Sequence, residues 1–186
     1  MDTIRIQQIG EVVKPCIPEA YIRYLVHFHT DRDYFECHEI LEEHWKENGY
    51  KKVWVVLIQI AVALYHHRRG NNQGALRMMQ KARALLEKEQ RAIHGLGLDE
   101  QRLAEQLERY MERIMQNKAY KSIELPIRDE TLRKICQTIC EKQGLTWGQA
   151  SDLNNVYLMH KHKLRDRTEV IAARERKRKN KELPDR

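Results

Sequence analysis

The sequence predicts an all-α protein, a compact antiparallel helical bundle with an additional C-terminal helical segment and a basic tail. Three observations carry this expectation. Gly and Pro are sparse, 8 and 4 in 186 residues, while Leu, Ala, Glu, Lys, Arg and Gln abound, a balance that favours helix. Apolar residues recur at spacings of three and four over most of the chain between Tyr21 and Ile114. Asp, Asn and Gly stand where helices need caps and stops.

Residues 1–17 are expected to form an N-terminal arm, either extended or resting on the bundle. Pro18 and Glu19 open a first helix, Pro early and acid in the first turn. Tyr21, Leu25 and Phe28 share its face, and it should end near Thr30. Asp33 caps the second helix with Glu36 three residues on, a capping-box variant worth about 1 kcal/mol for the Asp cap. Gly49 ends this helix. Phe35, His38, Leu41, Glu42 and Trp45 follow one helical face and are expected inward. Glu36, Glu43, Lys46 and Glu47 face water, with Glu39 at the boundary. Val53 to Tyr65 is apolar apart from Gln59. It is too short to span a membrane, which needs about 20 residues, and reads as a helix buried on most sides. Arg68 and Arg69 complement its C-terminal dipole, and Gly70 stops it. Asn71 or Asn72 caps a fourth helix with a stripe of Ala75, Met78, Met79, Ala82, Leu85 and Leu86. His94 to Leu98 reads as a turn. Asp99 caps a fifth helix with Leu103, Leu107, Tyr110 and Ile114 inward. Residues 118–127 lose the helical period, and Leu125-Pro126-Ile127 reads as an extended crossing. Asp129 caps a helix from Glu130 to Lys142, stopped by Gly144, and residues 145–155 look like a surface element. The bundle therefore spans 18–117, an appended helical segment 118–159, and a basic tail 160–186.

The second helix draws attention because an inward, unpaired carboxylate costs several kcal/mol. Glu42 needs a partner. The short link from Asn48 to Lys51 makes the second and third helices antiparallel. Gln59 then lies roughly level with Glu42, and His66 near His38 or up to a turn beyond. Two readings follow. In one, His38, Glu42, Gln59 and His66 form a hydrogen-bonded network that fixes helix register inside a non-catalytic module with a protein partner. In the other, His38, Glu42 and His66 hold a divalent metal (zinc, iron or manganese). Glu39 is then a general base through a bound water, and Gln59 and Trp45 line the pocket of a hydrolase or oxygen-using enzyme. The His-Glu-x-x-His zinc-protease motif is absent, since position 42 is Glu and the next His is His44.

The run Phe35-Glu36-x-His38-Glu39-x-Leu41-Glu42-x-x-Trp45, with Leu57 to His66, Gly70-Asn71 and Gly74-Ala75, resembles a bacterial family of uncharacterised proteins known as domain of unknown function 309. The resemblance covers roughly Ile22 to Glu89. It implies a compact all-helical bundle and no established activity. Cys37 stands where that family often has a small residue, which we read as a packing change.

The remaining features narrow the class. Cys16, Cys37, Cys136 and Cys140 fit no zinc ribbon or knuckle, and together with the absence of an apolar leader they suggest a reduced, cytoplasmic chain with no membrane association. Of 34 Lys and Arg, 11 fall in residues 160–186, against 5 of 27 Asp and Glu, so the net charge of +7 is mostly a tail property. Such a tail can attract nucleic acid without sequence preference or simply solubilise a helix end. No helix-turn-helix signature or aromatic platform accompanies it.

Overall fold

A computed structural model describes residues 17–164, which contain seven α-helices and no β-strand. They are α1 (Glu19–His29), α2 (Tyr34–Glu47), α3 (Lys52–Arg68), α4 (Asn72–Gly95), α5 (Glu100–Met115), α6 (Glu130–Gln143) and α7 (Val156–Leu164). The predicted N-terminal arm and the tail beyond residue 164 lie outside the described residues, apart from Ile17. None of the described helices is long and apolar enough to cross a membrane.

The bundle is built around α3. Twelve of its 17 residues are buried, because Val, Leu, Ile and Ala occur on every side of it rather than in one stripe. It packs most extensively on α4 and next on α2; α4 also packs on α5, α2 on α1, and α1 on α6. Leu57 and Leu64 are fully buried, and each such side chain contributes about 1.5–3 kcal/mol.

The predicted caps form. Asp33, Asn71, Asp99 and Asp129 accept from the backbone N–H groups of Glu36, Gly74, Arg102 and Leu132. Gly144 closes α6 in the left-handed conformation at φ 66°, which a Cβ would resist. The α4 helix runs on to Gly95, into the stretch expected to be a turn. Leu98 and Ile127 pair in one isolated antiparallel bridge, which anchors the extended crossing. Leu125, Ile127, Leu132, Cys136 and Cys140 join the same core as α1 to α5.

Residues 145–155 are more than the expected surface element. The Trp147 ring stacks on buried His29 with centroids 4.2 Å apart and planes within 9°. Gly148 N donates to His29 O at 2.8 Å, and Arg32 Nε donates to Gln149 O at 2.7 Å. Buried polar groups of α1 and the turn after it hold this loop, so its polar composition misled. Residues 160–164 belong to α7, whose backbone is kinked at His160.

Candidate functional site

The face that α2 buries is not the expected one. Tyr34, Cys37, Ile40 and Leu41 are buried instead, a rotation of roughly 100°, about one residue. Tyr34 and Cys37 carry no charge and reach the core, where Cys37 Sγ lies 3.6 Å from Tyr24 O. Burying Glu42 would have cost several kcal/mol. Phe35 and Trp45 stay half-buried, the Phe35 ring 6.2 Å from that of Tyr65 and the Trp45 ring 4.9 Å from that of Tyr50. His38 and Glu42 are left on the rim.

The expected four-residue convergence is therefore corrected. His38 Nδ1 lies 3.0 Å from Glu39 Oε1, and Glu42 Oε2 lies 3.0 Å from Lys46 Nζ. His66 Nδ1 instead accepts from Asn71 Nδ2 at 3.1 Å. Burial, then the charges of Arg69 and Arg77, lower the His66 pKa, and such surroundings repel a metal ion. Gln59 Oε1 is buried with no hydrogen-bond partner among the described residues.

What α2 does assemble is a smaller set. His38, Glu39 and Glu42 place one ligand atom each within 4.8 Å of one another. Their side chains are 30%, 31% and 36% exposed. His38 and Glu42 are one turn apart on one face, and Glu39 stands beside them. One imidazole nitrogen and two carboxylates suit zinc, iron or manganese, and three protein ligands leave coordination positions open. Alongside runs a groove of about 680 Å³. Glu36, Glu39, Glu42 and Glu43 form one wall, and Tyr157 and Lys161 of α7 stand on the other. Trp45 lies outside this groove, against Tyr50.

Lys161 holds α7 in place. Its Nζ lies 2.5 Å from Asp33 Oδ2 and 3.1 Å from Glu36 Oε2, with Asp33 only 7% exposed. Burial alone would lower the Lys161 pKa, but the hydrogen bond and charge of Asp33, then Glu36, raise it above the ordinary value. Asp33 thus caps α2 with one carboxylate oxygen and binds α7 with the other.

Two arginines carry structural roles that the sequence did not reveal. Arg32 is buried with φ 58°, and its Nη1 donates to Phe28 O and Ile123 O, each at 2.7 Å. Arg68, expected to complement the helix dipole, is also buried. It donates to Arg32 O, Ser151 Oγ and Leu158 O at 2.7, 2.8 and 2.9 Å, and its guanidinium sits 5.0 Å from the Tyr34 ring centroid. Three of these five acceptors are distant backbone carbonyls, which no residue pattern marks. The only sequence signal was a charge at the end of an otherwise apolar helix.

The family described as domain of unknown function (DUF309) matches residues 21–78, a span holding nearly all of α1, all of α2 and α3, and the first turns of α4. The chain is also 56% identical over 162 residues to "Uncharacterized protein YpuF" of Bacillus subtilis (strain 168), covering 86% of this chain and 93% of that relative. No solved structure matches it. The α2 ligand set lies inside the matched span, and the chain belongs to the DUF309 family.

Proposed function

We propose that the protein is a cytoplasmic binding module in which His38, Glu39 and Glu42 hold a divalent cation at the edge of the α2–α7 groove, where a protein partner docks. The observation that carries this reading is the juxtaposition of three ligand-type side chains within 4.8 Å on one helix, bordering a groove. Two carboxylates favour a divalent ion, and binding would displace Lys46 from Glu42. Coordination needs deprotonated ligands, so binding of the cation should release protons and weaken as the pH is lowered. The cytoplasmic placement is supported by Cys37, Cys136 and Cys140, which are free, buried thiols. Titration calorimetry with zinc and manganese tests the site. Saturable binding to the wild type, lost in His38→Ala and in Glu42→Gln at unchanged helicity, is the expected result. An absence of binding heat in the wild type with either metal would sink it.

A second reading, a metal-dependent hydrolase or oxygen-using enzyme, draws on the open coordination positions beside a groove large enough for a small substrate. Glu39 is the general base when His38 and Glu42 alone hold the ion. Glu39→Gln should then keep the metal and lose turnover. Turnover unchanged in that variant would remove Glu39 from the reaction.

A further inference from the structure

Two stretches of the chain contain no Asp or Glu, Lys51 to Leu86 and Leu153 to Arg165. The fold brings both to the end of α3, where His66 bonds Asn71 at the start of α4 and Tyr65 bonds His162 of α7. Tyr65 of α3 is the junction. Its hydroxyl lies 2.8 Å from His162 Nδ1 and accepts from His162 N at 3.3 Å. The guanidinium of Arg69 lies over the Tyr65 ring, 5.5 Å from its centroid. Both His162 and His66 have lowered pKa values, first from burial. After burial come Arg69, Lys163, His160 and His66 for His162, and Arg69 and Arg77 for His66. The permanent charges acting on these two imidazoles, Arg69, Arg77 and Lys163, are all positive. Among the described residues, Arg69, Arg77 and Lys163 are paired with no carboxylate. Lys161 is different, since its charge is taken up by Asp33 and Glu36 of α2.

We propose that this acid-free face of α3, α4 and α7 binds the phosphate backbone of nucleic acid without reading base sequence. Cations gathered without counter-charge repel one another, and closely spaced phosphates satisfy several at once while releasing counterions. The donors are in place. Tyr65 holds Arg69, whose planar fork suits phosphate oxygens. His66 Nδ1 accepts from Asn71 and His162 Nδ1 from Tyr65, which leaves an Nε2–H on each ring as the remaining donor. The positive end of the α4 dipole, capped by Asn71, lies beside His66. A membrane surface fits less well. An interfacial helix separates apolar and basic faces, whereas the apolar and basic residues of α7 are not segregated around its axis.

Fluorescence anisotropy tests this on the full chain with short labelled duplex DNA and single-stranded RNA of random sequence. The triple variant Arg69→Gln, Arg77→Gln, Lys163→Gln is compared with Lys88→Gln, Arg91→Gln, Arg109→Gln, which removes the same charge from exposed positions of α4 and α5. We expect wild-type binding at about 50 mM salt that weakens steeply with added salt, and a loss of about tenfold or more in the first triple. Its slope of log affinity against log salt should be shallower by about 0.9 per lost phosphate contact. The control triple should lose much less. No wild-type binding, equal losses in the two triples, or binding to phosphatidylserine vesicles in place of nucleic acid would each overturn the proposal.

Discussion

Mild acid should destabilise this protein through one residue, His29. It is 1% exposed, its Nδ1–H donates to Leu25 O at 2.8 Å, and its Nε2 accepts from Leu125 N at 3.0 Å. Both nitrogens are satisfied only when the ring is neutral. Burial is the largest cause that lowers its pKa to about 3; Arg32 and Arg133 lower it further, while the bond donated to Leu25 O opposes the shift. In the unfolded chain the value returns to about 6.5. Between those two values the unfolded state binds a proton that the folded state refuses. Stability from this group is therefore full above about pH 6.5 and is lost as the pH falls towards 3. Linkage gives a loss of about 2 kcal/mol between pH 7 and pH 5, which is insensitive to the folded value as long as that stays below about 4.5. Urea unfolding of wild type and His29→Gln at both pH values measures it as a difference. His27, whose pKa is raised first by its hydrogen bond to Asp31, contributes with the opposite sign but is present in both proteins and cancels. Parallel stability–pH profiles for the two proteins would refute the reasoning. So would a wild-type His29 ring that titrates near 6.5 by NMR, a measurement that stands even when the variant does not fold.

Further expectations follow from the packing. A double-mutant cycle on Asp33→Asn and Lys161→Met should show a coupling of about 1–3 kcal/mol, because the pair is mostly buried; a coupling near zero would mean that α7 is held by other contacts. Gln59→Leu should be neutral or stabilising by about 1 kcal/mol in thermal unfolding, since it removes a buried acceptor that has no partner; a large loss would show that the amide is bonded after all. Leu64→Ala on α3 should cost about 2–5 kcal/mol at an unchanged urea slope, as expected for a cavity in a fully buried helix.

Much of the fold was legible because the signals were local. Asp33, Asn71, Asp99 and Asp129 announce their helices through side-chain caps that involve residues three positions away. The uniform apolarity of α3 leaves it nowhere to go but the centre. The orientation of α2 was less legible, because its residues can be grouped into two overlapping apolar faces that share Leu41. Which one is buried depends on contacts with α1, such as Cys37 against Tyr24, and not on α2 itself. That choice separated His38 and Glu42 from His66. Least legible were Arg32 and Arg68, whose partners include carbonyls of residues 123, 149 and 158, far along the chain. Residues 145–155 are polar by composition and yet held to the bundle, because Trp147 stacks on His29 and long-range bonds run to His29, Arg32 and Arg68.

The most direct test of the proposed cation site is metal content. Tag-free protein, reconstituted with zinc, iron or manganese and dialysed, is analysed for metal beside His38→Ala, Glu42→Gln and His66→Ala. The α2 geometry predicts about one ion per chain in wild type and in His66→Ala, and none in the other two, because His66 lies away from the ligand set. A metal-free wild type, or an ion lost in His66→Ala and kept in Glu42→Gln, would contradict it.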